Sequence, residues 1–195
     1  MMFIVVEGLD GTGKSTTAKA LASALNGIFL NTPLDKFKIV RPAMEDIYGD
    51  ESLARQLFYA STAICSSNRV SQALKEAKCV VIDRYWYSTQ VYHSWRTSGQ
   101  HFQLQEVEDQ LVKPDLTVYL GLPLVARKER LAGRDGNTDE DRQTMAIKAD
   151  KTLNELYRAY ADHPFSRRWV EMDASLPTED IVSSVLSLLG VVNTA

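Results

Sequence analysis

Eight residues constrain this chain more than any others: GLDGTGKS, from Gly8 to Ser15. They satisfy G-x-x-x-x-G-K-[ST] at every fixed position. The apolar, β-branched run FIVV (3–6) precedes them, and KSTTAKALASAL (14–25) follows with a helical pattern. A strand that turns through glycines into a helix aims backbone N–H groups and a helix N-terminus at one point, which suits a phosphate. Gly8, Gly11 and Gly13 permit backbone conformations that a side chain obstructs. Lys14 supplies a cation for the β- and γ-phosphates of a nucleotide. The Ser15 hydroxyl suits the oxygen shell of Mg²⁺, and Thr12 and Thr16 belong to the same nucleotide site.

The rest of the chain alternates in the same way. FIVV (3–6), IFL (28–30), CVVI (79–82), LTVYLGL (116–122) and RWVEM (168–172) are predicted strands. Several lack polar alternation, as strands covered on both faces do. Helical periodicity marks 14–25, 52–77, 143–161 and about 178–189. In 52–77 the expected buried stripe is Leu53, Leu57, Ala60, Ile64, Val70, Ala73 and Leu74. In 143–161 it is Met145, Leu153, Leu156 and Tyr160. Thr178 is the expected cap of the last helix, Glu179 and Asp180 favour its positive end, and Gly190 suits its exit. Alternation of this kind predicts an α/β fold with a parallel sheet and right-handed crossovers. With 195 residues and no linker rich in Gly, Pro or Ser, one domain over 1–195 is expected. GRDGNTDEDR (133–142) is the most polar stretch and is expected to be a mobile loop.

Composition narrows the function classes. A net charge of −3 gives no bulk attraction to nucleic acid. No run reaches the ~18 apolar residues that a membrane helix needs. The N-terminus has no positive n-region and meets an acid at Glu7, so no signal peptide is expected. Cys65 and Cys79 cannot form a disulfide framework. They are expected to be inert core thiols in a reducing, cytoplasmic setting. A GTPase would add a D-x-x-G switch and an N-K-x-D base reader, and neither stands in a sensible place. Asp10, inside the loop, is unfavourable beside a triphosphate alone. It makes sense if it faces the hydroxyl of a second substrate.

A second constellation supports that idea. In CVVIDRYWYSTQVYH (79–93), Asp83 ends a predicted strand on the edge where open α/β sheets bind ligands. Asp83 is placed to orient the waters of a Mg²⁺ ion, and Arg84 offers a planar fork to a phosphate. Tyr85, Trp86, Tyr87 and Tyr92 supply aromatic walls with polar tips, and Ser88 and Thr89 add hydroxyls. Aromatics at this density are more often core than pocket, but their position after Asp-Arg favours a pocket.

VEGLDGTGKST together with DRYWYST and the following Tyr92 resembles the thymidylate kinase family of nucleoside monophosphate kinases. LFY (57–59), KPDLTVYL (113–120), RLAGR (130–134) and MDAS (172–175) extend the likeness over most of the chain. DRYWYST, KPDL, RLAGR and DAS look closest to the branch that includes the mitochondrial UMP–CMP kinase of animals. The resemblance implies a P-loop NTPase fold, a five-stranded parallel sheet flanked by helices, with a mobile lid at about 127–142. It implies ATP as phosphoryl donor with Mg²⁺, a pyrimidine nucleoside monophosphate as acceptor, and a homodimer formed through helices beside the sheet, with 52–77 as a candidate face. By position, Asp10 matches the carboxylate that binds the acceptor's sugar, Arg84 the arginine on its phosphate and Phe58 the stacking aromatic. Ser88 and Thr89 match positions near the base, and Tyr92 a tyrosine near the sugar. Arg41 matches, with loose spacing, a phosphate-contacting arginine. Arg130 and Arg134 match lid arginines that act on the transition state, and Ala174 lies where the backbone touches adenine.

Two departures from the pattern bear on specificity. Thr62 stands four residues after Phe58, where thymidylate kinases commonly place a base-reading arginine, and Arg69 lies about two turns further on. Thymine preference is therefore open, with uracil and cytosine acceptors credible alongside dTMP. Gly11 occupies a loop position where some members carry a catalytic arginine, which shifts weight to Arg130 and Arg134. Two other classes compete. A deoxynucleoside kinase would need a general base near the hydroxyl, for which Asp35 is available. A non-catalytic ATP-binding module would keep the loop alone.

Overall fold

The computed structural model describes residues 1–49, 51–100, 102–133 and 139–191. Among these, five strands form one parallel sheet: β1 (Met2–Gly8), β2 (Ile28–Asn31), β3 (Cys79–Asp83), β4 (Leu116–Gly121) and β5 (Trp169–Asp173), in the order β2-β3-β1-β4-β5. Helices α1 (Lys14–Ala24), α2 (Asp35–Tyr48), α3 (Ser52–Glu76), α4 (Trp86–Arg96), α5 (Gln105–Glu108), α6 (Leu124–Ala132), α7 (Asp139–Thr144), α8 (Ile147–Ala159) and α9 (Thr178–Leu188) connect and cover the strands.

The alternation of side chains across a strand explains the two cores. Phe3 and Val5 of β1 face one side with Val80, Ile82 and Tyr119, where α3, α4 and α8 supply Ala63, Val70, Trp86, Tyr87, Leu153 and Tyr157. Ile4 and Val6 face the other with Val81, Val118 and Leu120, under Leu21 of α1 and Ile181, Val185 and Leu186 of α9. Burial of each such aliphatic side chain contributes about 1.5–3 kcal/mol. The register aligns Val6 with Asp83, Gly8 with Leu120 and Gly121 with Asp173, so the loops after β1, β3, β4 and β5 open at one edge.

Helices α2, α4, α5 and α6 lie where periodicity singled out no element. The predicted helix 143–161 is two helices, α7 and α8, separated by extended Ala146 (ψ 138°). Thr178 does not cap α9: Pro177 holds the cap position and Thr178 is the first helical residue. Glu179 and Asp180 do occupy the first turn, and Gly190 leaves the helix at φ 70°.

The expected stripe of α3 is corrected more deeply. Leu53, Leu57 and Ile64 are 39, 48 and 37% exposed, while Gln56, Thr62, Ser66 and Ser67 are buried beside Ala60, Ala63 and Val70. Three of these four polar groups have partners, and Ser66 Oγ is buried with none among the described residues. Gln56 Oε1 accepts the Phe102 amide at 3.1 Å, Ser67 Oγ accepts the Val112 amide at 2.9 Å, and the Thr62 hydroxyl donates to Tyr59 O at 2.8 Å. Helix α3 thus packs these polar residues inward, where loop amides satisfy Gln56 and Ser67, and presents Leu53, Leu57 and Ile64 outward. Cys79 is buried and its thiol is pushed up to about 11 by burial, as an inert thiol requires. Cys65 lies half-buried on α3 rather than in the core. No helix among the described residues is long and apolar enough to cross a membrane.

Candidate active site

The loop between β1 and α1 takes the shape its glycines allow. Gly8, Gly11 and Gly13 have φ of 145, 86 and 87°. A Cβ on Gly8 would stand 2.8 Å from Leu120 O, and one on Gly11 would meet Arg127 O and Leu131 Cγ at 3.2 Å. Gly13 caps α1 and has no side chain to satisfy the first-turn amides, and no acid stands in that turn. Those donors and the helix dipole therefore suit an anion. Lys14 is buried over the loop and donates to Leu9 O at 2.7 Å, as does the Thr12 hydroxyl at 2.8 Å. Burial, reinforced by the nearby Arg84 charge, lowers Lys14 to about 8. Ser15 and Thr16 are exposed at the start of the helix. The Ser15 hydroxyl donates to Asp83, whose other carboxylate oxygen, Oδ1, is buried with no hydrogen-bond partner among the described residues.

Beside this cradle lies a cleft of about 220 Å³, lined by Asp10, Thr32, Pro33 and Arg84 and, from α4, by Ser88, Thr89, Tyr92, His93 and Arg96. Asp10 belongs to both spaces. Its carboxylate forms an ion pair with Arg84, accepts the Tyr92 hydroxyl at 3.1 Å and lies 3.7 Å from Lys14 Nζ. Burial alone would raise its pKa, but Arg84 and Lys14 outweigh that and hold the carboxyl well below the usual range. Burial likewise opposes the Arg84 charge, yet Asp10 keeps it protonated. Arg84 sits at φ 62°, a left-handed conformation that costs an ordinary residue roughly 1–3 kcal/mol. The Arg84 amide bonds Val6 O at 3.0 Å, and its guanidinium reaches Gly8 O and Ser88 Oγ at 3.3 and 3.2 Å, which holds the strained turn in place.

One buried carboxylate organises this end. Glu7 accepts the Tyr85 amide at 2.9 Å and the Ser88 hydroxyl at 2.6 Å, and Ser88 Oγ lies 2.9 Å from the Tyr157 hydroxyl. Burial raises the Glu7 pKa, with Ser88 and Arg84 pulling the other way. An acid inside an apolar strand was the available signal for it; Tyr59, His93, Arg96, Arg127 and Tyr157 carried none, because only the packing of α3, α4, α6 and α8 brings them here.

The remaining predicted residues distribute as follows. Arg41 and Thr62 line the cleft with Tyr59, whose ring lies 5.8 Å from both the Arg41 guanidinium and the His93 ring. Phe58 does not line the cleft; its ring packs against Phe37, Tyr48 and Tyr59 just behind it. Arg130 reaches over the loop, donating to Ala174 O at 2.8 Å and Gly11 O at 3.5 Å, so the loop after β5 and the phosphate loop share one guanidinium. Arg134 lies outside the described residues. Asp35 is 87% exposed and paired with Lys38 at 2.9 Å, away from the cleft-lining set.

A parallel sheet with this strand order, a glycine loop feeding α1 and a second cleft sharing the loop's carboxylate define a P-loop protein of the nucleotide kinase class. A family model described as thymidylate kinase matches residues 6–185. The chain is 30% identical to a probable thymidylate kinase of Thermococcus onnurineus, covering 96% of this chain and 97% of that one. It is 31% identical to a thymidylate kinase of Bradyrhizobium diazoefficiens, covering 96 and 88%. The solved thymidylate kinase of Candida albicans shares the fold at a TM-score of 0.67 and 20% identity, over 97% of this chain and 91% of that one. The chain belongs to the thymidylate kinase family.

Proposed function

We propose that the protein transfers the γ-phosphoryl group of ATP to dTMP, giving dTDP, with dUMP, UMP, dCMP and CMP as candidate secondary acceptors. The observation that carries this is Asp10. It is a loop residue of the donor cradle, yet it is held by Arg84 and Tyr92 of the adjoining cleft. Two anions placed in the two spaces meet at this boundary, which is the arrangement that in-line transfer needs. The loop amides and Lys14 hold the donor phosphates, with Gly8, Gly11, Thr12, Gly13, Ser15 and Thr16 forming the cradle. Ala174 lies at the adenine side, next to Arg130. Arg84, with Arg41, binds the acceptor phosphate, and an acceptor phosphate on Arg84 frees Asp10 to accept the sugar hydroxyl. Tyr92, Ser88 and Thr89 line sugar and base, and Phe58 backs the Tyr59 wall. Arg130 and Arg134 supply further charge to the transferring group, the latter on sequence grounds alone.

The Ser15–Asp83 pair fits a Mg²⁺ ion: a hydroxyl and a carboxylate with one buried unpartnered oxygen are hard ligands of the type that ion takes, largely through water. When bound, it offsets charge on the donor phosphates. Residues 1–195 act as one kinase domain in this scheme, with a lid at about 127–142, of which 134–138 lie outside the described residues. The outward leucines of α3 support a homodimer, and the two free cysteines support a cytoplasmic setting. The exposed, Lys38-paired Asp35 leaves a nucleoside kinase without its base.

The test is turnover with ATP across dTMP, dUMP, UMP, dCMP, CMP and free thymidine. Transfer to dTMP with none to thymidine is expected. Transfer to thymidine, or ATP binding with no monophosphate turned over, rejects the assignment.

A further inference from the structure

Arg127 has no assigned role, and among the described residues it is the largest charged side chain with no exposure at all. A guanidinium is removed from water only where several partners replace it. Here three segments do so. Nε donates to the carbonyl of Asp10 at 2.8 Å, Nη1 pairs with Asp150 of α8, and Nη2 lies 3.4 Å from the buried Thr144 hydroxyl at the end of α7. The same turn of α6 lies against the loop, since a Cβ on Gly11 would meet Arg127 O and Leu131 Cγ at 3.2 Å. The side chain is absent from the lining of the cleft.

We infer that Arg127 is a positioning residue that fixes the backbone of Asp10 and thereby sets the Asp10 carboxylate between Arg84 and Tyr92. The carbonyl and carboxylate of Asp10 belong to one residue, so a shift of the first displaces the second. The planar fork spans the loop, α7 and α8 at once, which a single ammonium cannot do. Asp150 balances the charge, so Arg127 contributes geometry more than field. This role rests on the cleft being the acceptor site, and the test keeps the two apart.

Removal of Arg127 alone would leave the Asp150 charge uncompensated and confuse positioning with folding. Arg127→Met combined with Asp150→Asn removes both charges while keeping the volume. Thermal melting, hydrogen exchange over residues 8–15, and KM for each substrate are measured on wild type and on the double variant. The expected result is a double variant that melts cooperatively, with loop exchange about tenfold faster and sheet exchange unchanged. The acceptor KM should rise about tenfold, since small misplacements in a site cost that much or more, with ATP KM moving less than about threefold.

Arg127→Lys, which keeps a charge for Asp150 but not the fork, should loosen the loop in the same way, and it decides the matter if the double variant does not fold. Unchanged loop exchange overturns the role. So does an equal rise in both KM values with faster exchange across the sheet, which marks a general packing defect. If wild type phosphorylates no pyrimidine monophosphate, the proposed function fails while the exchange result still judges Arg127.

Discussion

Lys14 carries its charge in a place that resists it. Burial and the Arg84 charge lower it to about 8, and phosphates would raise it again. Nucleotide binding above pH 8 should therefore take up a proton. The ATP Kd is expected to be flat in Lys14 below that pH and to rise above it, by at most about tenfold per unit. Calorimetry at pH 8.5 in buffers of different ionisation enthalpy measures the uptake directly, and zero uptake contradicts the role. Arg84 predicts differently. Arg84→Ala should raise the acceptor KM by on the order of 100-fold, the loss of a charge-assisted phosphate contact, while ATP is affected far less. Equal losses on both substrates reject its assignment to the acceptor. Thr62 is fully buried and lines the cleft. Thr62→Arg should raise the kcat/KM ratio of dTMP over dCMP, because a guanidinium donates to a base carbonyl and repels an exocyclic amine. An unchanged ratio excludes Thr62 from base choice.

Elements show where pattern and packing part company. The strands were legible because parallel strands covered on both faces are short apolar runs, and all five stand within about two residues of their predicted bounds. Helix α4 was not, since Trp, Tyr, Thr and Val favour strands locally, while the segment WYSTQVYHSWR is a helix packed against α3, α8 and β1. Helix α3 was found and its stripe was partly right: Ala60, Val70 and Ala73 are buried as expected, while Leu53, Leu57 and Ile64 are exposed. Periodicity reports where apolar residues lie, not what covers them. Leu53, Leu57 and Ile64 lie outward on one stripe, exposed in the monomer. Leu57→Asp is expected to shift the protein from dimer to monomer in sedimentation while the fold survives. An unchanged sedimentation coefficient, or a monomeric wild type, removes this face as the interface.

At the scale of the whole molecule, the two spaces share Asp10, so a ligand that fills both should stabilise more than either half. Adenosine joined through five phosphates to thymidine, at about a thousand times its Kd, should add ~4 kcal/mol. For a chain of this length that is a rise in Tm of roughly 8–16 °C. A rise no larger than the same concentration of ATP produces would mean that the cleft does not receive the second nucleotide.

The phosphate loop, the parallel α/β class and most residues of the candidate cradle and cleft were legible in the sequence alone. Their information is local: glycines at fixed spacing, a lysine one residue after the last of them, apolar runs of strand length. The inward polar residues of α3, the helix at 86–96, the packing of Phe58 against Tyr59 and the burial of Arg127 were decided only by tertiary structure. Each depends on which distant segment replaces water around a side chain, and no neighbour in sequence records that.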